Sequence, residues 1–303
     1  EDGKIHCVVL NSGPVSNHKS INLPGAKLNL PALTERDMAD IQFAIENDFD
    51  YIAASFVRKA ADVIEIKRFL ERHNGDSIHI IAKIENREGI SNFDKILKVA
   101  DGIMVARGDL GVEIPIQEVP TIQKSLIRQC YRIGKPCITA TQMLDSMIRN
   151  PRPTRAEVSD VANAILDGTS AIMLSGETAA GRYPVESLAM MDSIARQTER
   201  SIDYWNLFSS TRYEMAASVA NAISHATCTT AQDLKAKAIV AVTLSGRTAR
   251  LISRFRPACP IIATTVSPRS YNQLALSWGV YPFLVRQVDS TDEMFELGKG
   301  KAI

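Results

Sequence analysis

The sequence has 303 residues, 45% of them hydrophobic and 23% charged, a globular composition that can bury one large or two ordinary domain cores. Lys and Arg total 35 against 34 Asp and Glu, so the net charge of +1 gives no overall field favouring nucleic acid or an anionic membrane. Five scattered cysteines without a C-x-x-C pair argue against a disulfide framework or a thiolate zinc site and fit a reducing cytoplasm. No apolar run reaches the ~18 residues that span a bilayer.

The first segment, residues 1 to about 29, resembles a β-hairpin around "NSGPVSNHKS", with a strand in "GKIHCVVL". The chain begins at Glu1 rather than at an initiating Met. We therefore expect it to be part of a longer protein.

From Leu30 to about Tyr204 a short apolar run, a turn and an amphipathic segment of helical period follow one another repeatedly. The apolar runs are "DYIAASF", "IHIIAKIEN", "DGIMVARGD", "KPCITAT" and "TSAIMLSGE". Near-continuous apolar strands that alternate with helices predict a parallel sheet covered on both faces. Thr154 and Glu157 predict a capping box at the start of one helix, and Gly168 predicts its end.

From about residue 211 the pattern predicts a second, smaller α/β unit. Its strands are expected in "AKAIVAVTL" and "CPIIATTV", with a helix in "ARLISRF".

Polar residues collect at the carboxyl ends of the five apolar runs, mostly as pairs two residues apart. They are Ser55, then Lys83 and Glu85, Arg107 and Asp109, Thr139 and Thr141, and Ser175 and Glu177. Residues at i and i+2 share a face of a strand, and such ends converge on one site in a β/α barrel. The pattern predicts a TIM-type barrel with a site at this rim.

The residue types at this rim suit a metal and a small anion. Glu85 and Asp109 offer hard oxygen ligands for Mg²⁺ or Mn²⁺. Lys83 supplies a charge for a developing oxyanion, Gly108 exposes backbone N–H groups at a predicted helix start, and Thr141 offers a hydroxyl. These groups favour a multiply anionic substrate such as a carboxylate phosphate ester.

Each element also has a structural interpretation. Lys83 and Glu85 could form an ion pair, Asp109 could cap a helix, and the threonines could serve as strand formers. Ser175 to Glu177 read mainly as a turn. Only their joint placement favours a common site.

The second unit carries "TLSGRT" between a strand and a helix. Thr243, Ser245, Gly246, Arg247 and Thr248 would form a phosphate nest at this turn, although the spacing is not that of a P-loop. A plain capped turn is equally compatible with the sequence. A phosphate site here would lie away from the barrel rim and would suggest regulation.

Several long motifs resemble the pyruvate kinase family from about residue 1 to the end of the chain. They are "NLPG", "SFVRKAAD", "KIENREG", "IMVARGDLGVEIP", "KPCITATQMLDSMI", "NPRPTRAEVSDVANAILDGT" and "IMLSGETAAGRYPVES". The resemblance implies phosphoryl transfer from phosphoenolpyruvate to ADP, giving pyruvate and ATP. It also implies a divalent metal, Mg²⁺ or Mn²⁺, and usually the monovalent cation K⁺. It further implies a homotetramer and a cytoplasmic enzyme.

The resemblance assigns roles to the rim residues. Lys83 is similar to the lysine that stabilises the transferring phosphoryl group and the enolate, and Glu85 and Asp109 match Mg²⁺ ligands. Gly108, Asp109 and Thr141 match substrate contacts, and Thr141 lies where the family places a hydroxyl near the carbon that becomes protonated.

The resemblance also reaches residues outside this set. Lys19 corresponds to a nucleotide-contacting lysine of the lid domain, and Ser55 is grouped with it as a cofactor contact. The "TLSGRT" turn is similar to the loop for a phosphorylated effector.

Compared with the family, the sequence supplies only the last five of eight barrel strands. The expected domains are the end of a β-rich lid (1–24), a partial barrel (25–204) and a C-terminal α/β effector domain (211–303). The K⁺ ligands would be absent, and a barrel without three strands cannot close. Two alternatives remain: a Mg²⁺-dependent lyase or aldolase acting on pyruvate or phosphoenolpyruvate, and an inactive fragment that retains only binding surfaces.

Overall fold

The computed structural model describes residues 6–13, 17, 24, 31–210, 218–287 and 290–301. Most of the expected hairpin turn lies outside these residues. Residues 6–13 contain no strand, and Val8, Val9 and Leu10 are all more than 80% exposed. The expected strand in "GKIHCVVL" is therefore wrong for its described part, because no described neighbour provides the ladder that an extended segment needs.

Helices and parallel strands alternate along most of the described chain. The helices are α1 (Glu35–Glu46), α2 (Ala60–Arg72), α3 (Arg87–Ser91), α4 (Phe93–Val99), α5 (Arg107–Glu113), α6 (Val119–Ile133), α7 (Arg155–Leu166), α8 (Gly176–Ala179), α9 (Pro184–Arg200), α10 (Tyr204–Ser210), α11 (Val219–Asp233), α12 (Arg247–Ser253), α13 (Pro268–Leu274) and α14 (Thr291–Lys299). The strands are β1 (Tyr51–Ala54), β2 (His79–Ile84), β3 (Gly102–Ala106), β4 (Cys137–Ala140), β5 (Ala171–Met173), β6 (Ile239–Val242), β7 (Ile261–Thr265) and β8 (Val280–Leu284). Two 3₁₀ turns span Ile116–Glu118 and Asp145–Ile148. Among these described helices, none combines the length and apolar character needed to cross a membrane.

The first five strands form one parallel sheet in the order β1-β2-β3-β4-β5, which confirms the prediction for all five apolar runs. Ile80, Ala82 and Ile84 of β2 lie in a large core beneath the helices. Ile81 of the same strand belongs to a second cluster with Met104 of β3. Since alternate residues point to opposite faces, the sheet has a helix-covered face and an inner face that carries Ile81. Apolar residues on both faces explain why the strands read as continuous apolar runs.

The second unit is also parallel, with the order β6-β7-β8. The predicted strands β6 and β7 and the helix α12 are confirmed. The prediction omitted β8, whose Pro282 pairs with Ala263. Proline cannot donate to a ladder and signals against a strand, but an edge strand such as β8 tolerates it.

The second unit contacts the amino-terminal ends of the first sheet. The Tyr51 hydroxyl at the start of β1 donates to the Gln273 carbonyl at 2.6 Å, and the Gln273 amide donates to the Ser77 carbonyl at 2.9 Å. Arg269 donates to the Phe49 carbonyl at 2.8 Å. Burial raises the pKa of Tyr51 to about 12, which keeps its hydroxyl protonated as a donor. This contact leaves the carboxyl ends of β1 to β5 clear of the second unit's docking helix.

The predicted helix boundaries around α7 are confirmed. The Thr154 side chain accepts from the Glu157 N–H, and the Glu157 carboxylate accepts from the Thr154 N–H at 2.7 Å, a complete capping box. Gly168 ends the segment with φ +96, a conformation that glycine adopts without strain.

Replacing Ile127 by Ala tests the core between α6 and the first sheet. Ile127 is fully buried, so Ile127→Ala is expected to lower the free energy of unfolding by about 2–5 kcal/mol through the lost burial and the cavity. Ile133→Ala on the same helix, at a residue 44% exposed, serves as the control and should change it by about 0.5 kcal/mol or less. Denaturant unfolding of the full-length variants measures both, and equal effects would contradict the described core.

Candidate active site

Polar residues after β1, β2, β3 and β4 lie at one edge of the sheet because the four strands are parallel and paired in register. Lys83 pairs with Met104, and Val105 pairs with Thr139. The residues that follow these strands therefore meet at the carboxyl edge, as the sequence predicted.

Lys83 and Glu85 are in contact at this edge. Lys83 Nζ lies 2.6 Å from Glu85 Oε1 and donates to the Ser55 hydroxyl at 2.9 Å. The Lys83 side chain is 22% exposed, whereas the Glu85 carboxylate is fully buried. Lys83 thus joins the end of β2 to the end of β1 and keeps an open side toward solvent.

Phe56 holds the other oxygen of Glu85 through its backbone. The Phe56 N–H donates to Glu85 Oε2 at 2.5 Å, and Phe56 has φ +53, in the left-handed region. A bulky residue there is strained, and such strain clusters at functional sites. Sequence reasoning missed Phe56 because its contribution is a backbone N–H in an unusual conformation, which no side-chain pattern signals.

Gly108 and Thr141 approach each other where α5 follows β3. A Cβ at Gly108 would lie 2.6 Å from Thr141 Cγ2, so no larger residue fits without displacement. Thr141 has φ +76, and for a β-branched residue this is a genuine outlier. Gly108 is the second residue of α5, where backbone N–H groups have no partner within the helix.

Arg107 supports this loop instead of lining the rim. Its guanidinium donates to the Thr141 carbonyl at 2.9 Å and pairs with Asp160 at 2.7 Å. The expectation that Arg107 and Asp109 share a strand face is wrong, because β3 ends at Ala106 and both residues lie in α5. A helix turns each residue by about 100° and so separates positions i and i+2.

Thr139 and Glu177, which the sequence also placed at the rim, serve structure. Thr139 is fully buried on the helix-covered side, and its hydroxyl lies 2.9 Å from that of Thr169, so it does not share a site with Thr141. Glu177 is 1% exposed and accepts from the backbone N–H groups of Leu144 and Ser175 at 3.0 and 2.8 Å. Its carboxylate fixes the loop after β4. The prediction of a turn at Ser175 to Glu177 is wrong for Gly176 and Glu177, because both belong to the short helix α8 that follows Ser175.

The carboxylates at this edge fit a divalent metal. Glu85 Oε1 is buried and lies 2.6 Å from Lys83 Nζ, and it has no other hydrogen-bond partner among the described residues. Asp109 is partly exposed at the start of α5. Within the described chain no three His, Cys, Asp or Glu side chains form a metal-binding group. Two carboxylates completed by water and substrate oxygens are the ligand set typical of Mg²⁺.

The "TLSGRT" turn of the second unit opens α12. Gly246 precedes the helix with φ +74, and Ser245, Arg247 and Thr248 are exposed, whereas Thr243 is buried. The Ser245 carbonyl accepts from Arg250 Nη2 at 2.7 Å, which ties the turn to its own helix. No described side chain caps the start of α12, and a phosphate role for the turn remains a prediction.

Lys19, the expected lid residue, lies outside the described residues. Ser55 is exposed beside Lys83 at the rim, so it is placed with the site.

A parallel β/α sheet with polar residues gathered at its carboxyl edge is the arrangement of the β/α-barrel class of enzymes, whose active sites lie at that edge. The chain matches the family model described as pyruvate kinase, barrel domain, over residues 1–188, and the one described as pyruvate kinase, alpha/beta domain, over residues 221–303. The chain belongs to the pyruvate kinase family.

Curated relatives carry the same family name. The chain is 57% identical over 294 residues to pyruvate kinase of Sporosarcina psychrophila, covering 97% of this chain and 50% of the relative. It is 54% identical over 301 residues to pyruvate kinase of Geobacillus stearothermophilus, covering 99% and 51%. Pyruvate kinase of Clostridium acetobutylicum is 50% identical over 303 residues, covering 100% and 64%. The chain thus spans about half the length of the first two relatives.

Gly108→Ala tests the close approach to Thr141. The added methyl group is expected to lower the free energy of unfolding by about 1–3 kcal/mol through overpacking. Combining it with Thr141→Ser removes Cγ2 and should recover most of that loss, a coupling that denaturant unfolding of the four full-length variants measures.

Gly111→Ala is the matched control on α5, because a Cβ there meets nothing within 4 Å. It should be neutral or stabilising by up to about 1 kcal/mol, since alanine favours helix. Additive effects of Gly108→Ala and Thr141→Ser would contradict the contact.

Proposed function

We propose that this chain supplies the phosphoryl-transfer site of an enzyme that converts phosphoenolpyruvate and ADP into pyruvate and ATP. The observation that carries the proposal is the rim pair, in which the Lys83 ammonium lies 2.6 Å from the fully buried Glu85 carboxylate. Family membership supplies the reaction class. Because the chain spans about half of its relatives, the activity is proposed for the full-length protein.

Lys83 stabilises the negative charge that develops as the bond to the transferring phosphoryl group breaks. Phosphoryl transfer depends mainly on positioning and charge neutralisation, so a preplaced ammonium lowers the barrier directly. The Ser55 hydroxyl and the Glu85 carboxylate hold Nζ at the rim. Their hold limits the reorganisation needed when the enolate forms.

Glu85 and Asp109 are the residues that would hold a divalent cation, Mg²⁺ or Mn²⁺. Bound there, the ion supplies Lewis-acid neutralisation of phosphoryl and enolate oxygens. The Phe56 N–H fixes Glu85 Oε2, and Oε1, which lies beside the Lys83 ammonium, is the oxygen that would bind the ion.

Gly108 helps to orient the substrate carboxylate, and Thr141 acts in the protonation that gives pyruvate. The N–H groups at the start of α5, which have no partner within the helix, suit the substrate carboxylate, and Gly108 lets that carboxylate approach the backbone. The Thr141 hydroxyl, held by the strained loop, lies beside them and is proposed to act near the carbon that is protonated to give pyruvate.

Other parts of the proposal rest on the family resemblance. They are K⁺ as a second cofactor, Lys19 and Ser55 as nucleotide-side contacts, the "TLSGRT" turn as a phosphorylated-effector site, a homotetramer, a cytoplasmic location, and the domain limits 1–24, 25–204 and 211–303. The curated names favour the phosphotransferase over the lyase or aldolase alternative.

Lys83→Met tests the central role. With the ammonium removed, kcat for ADP-dependent pyruvate formation is expected to fall by about 10²–10³-fold in the full-length protein, while Mn²⁺ binding weakens only modestly. Lys95→Met, at an exposed lysine of α4, is the control and should keep normal turnover. Near-normal turnover of Lys83→Met would refute the role, and a control protein without turnover would favour the binding-fragment alternative.

Glu85→Gln tests the metal assignment without relying on activity. Loss of the carboxylate charge is expected to weaken Mn²⁺ binding, followed by electron paramagnetic resonance of the free ion, by at least about tenfold. Glu88→Gln, at an exposed glutamate three residues on, should bind Mn²⁺ like the parent. Equal affinity of the parent and Glu85→Gln would contradict the assignment.

A further inference from the structure

The Arg107 guanidinium joins three segments around the residue that carries the proposed proton-transfer hydroxyl. Its Nε and Nη2 donate to the Thr141 carbonyl at 3.1 and 2.9 Å, and Nη2 also donates to the Gln142 carbonyl at 3.2 Å. Its Nη1 lies 2.7 Å from the Asp160 carboxylate of α7 and donates to Gln123 Oε1 of α6 at 3.4 Å. One side chain therefore ties the loop after β4 to two helices.

This loop depends on such a support because its backbone is strained. Thr141 has φ +76 and the next residue, Gln142, has φ +55, so two consecutive residues with side chains occupy the left-handed region. That region is unfavourable for a β-branched residue, and a strained conformation persists only where the surrounding structure holds it. The carbonyls of both strained residues converge on one guanidinium, whose planar fork of fixed donors suits this geometry.

The same contact is shielded from solvent and carries charge. The Arg107 side chain is 11% exposed and that of Asp160 is 38% exposed. Asp160 takes Nη1, whereas Nε and Nη2 face the loop. The carboxylate therefore fixes the plane of the guanidinium, and the donors that hold the loop stay aligned.

The backbone of Arg107 belongs to the segment that is proposed to bind the substrate. Arg107 is the first residue of α5, and Gly108 and the proposed metal ligand Asp109 follow it directly. Gly108 in turn lies against Thr141, since a Cβ there would be 2.6 Å from Thr141 Cγ2. One residue thus connects the helix start proposed for the substrate carboxylate with the loop that carries the hydroxyl.

The groups proposed for phosphoryl transfer are held by other contacts. Lys83 contacts Ser55 and Glu85, which follow β1 and β2, and the Phe56 N–H holds the second Glu85 oxygen. The contacts of Arg107 lie after β4 and on the helices α6 and α7. A change at Arg107 would therefore displace Thr141 and leave the lysine and the buried carboxylate in place.

We propose that Arg107, oriented by Asp160, is a positioning residue for the proton-transfer half of the reaction, an inference that rests on the proposed function. In that half the terminal carbon of the enolate takes up one proton while its C–O bond becomes a carbonyl, and the Thr141 hydroxyl relays the proton from solvent. Arg107 acts only through the backbone that carries this hydroxyl. A misplacement of about 1 Å is enough to slow such a step about 10²-fold.

Exchange of the pyruvate methyl protons measures this half of the reaction without ADP. The full-length protein, with Mg²⁺ and inorganic phosphate in D₂O, is expected to replace these protons by deuterium, which ¹H NMR follows. Arg107→Met should lower the exchange rate about 10- to 100-fold. Arg107→Lys should retain part of the rate because it keeps the charge but loses the fork. An unchanged rate in Arg107→Met would overturn the proposal.

ADP-dependent turnover separates positioning from a general loss of structure. In Arg107→Met, kcat should fall while KM for phosphoenolpyruvate changes less than about threefold, because the interaction acts on a later step. The solvent deuterium isotope effect on kcat should rise above that of the parent, since proton transfer becomes the slow step. A lower kcat with the parental isotope effect would show only a loss of active protein and would overturn the proposal.

Lys124→Met is the matched control, because it breaks a 2.9 Å ion pair between α6 and Asp167 at the end of α7. It should keep the parental exchange rate and isotope effect, and an equal loss in Lys124→Met and Arg107→Met would overturn the proposal. If Arg107→Met does not fold, Arg107→Lys and Asp160→Asn carry the test, and both should exchange more slowly than the parent.

The two assays also distinguish this inference from the proposed function. A full-length parent that exchanges pyruvate protons but forms no pyruvate from phosphoenolpyruvate and ADP would refute the proposed function, while the variants would still report on positioning. A parent that exchanges no protons would overturn the positioning role itself.

Discussion

The in-register parallel pairing of β1 to β5 is the constraint on which the rest of the structure depends. It places every strand's carboxyl end at one edge, where Lys83, Glu85, Gly108 and Thr141 meet, and every amino end at the other, where the second unit docks through Gln273. The proposed chemistry and the docking of the second unit therefore use different edges of one sheet. Apolar packing on both faces makes that sheet rigid enough to fix side chains from four separate loops.

Much of this architecture could be predicted from the sequence because buried parallel strands leave a plain signal. All five apolar runs became strands, and the capping box at Thr154 marked a helix start. The hydrophobic pattern does not predict a strand that has few apolar neighbours or contains a residue unfavourable in strands, as β8 does with Pro282. It also gives no sign of where a strand ends, and for that reason Arg107 was expected at the rim but supports the Thr141 loop.

The site was predictable in its residue types and only partly in its geometry. Lys83 and Glu85 meet as their spacing indicated, whereas Thr139 faces away from Thr141, which leaves the strand and turns left-handed. The Phe56 N–H that holds Glu85 belongs to a backbone conformation set by the surrounding loops. Such tertiary strain has no counterpart in local sequence, and motif resemblance marks these residues without explaining their shape.

The left-handed threonine after β4 also bears on how the protein can change under selection. Glycine or asparagine would relax the backbone at Thr141. Selection for heat resistance alone would therefore favour discarding the hydroxyl that the proposed chemistry needs. A substitution that stabilises the fold at Thr141 would remove the hydroxyl on which the proposed turnover depends. A thermostable descendant that keeps its activity must therefore gain its stability elsewhere, for example in the cores.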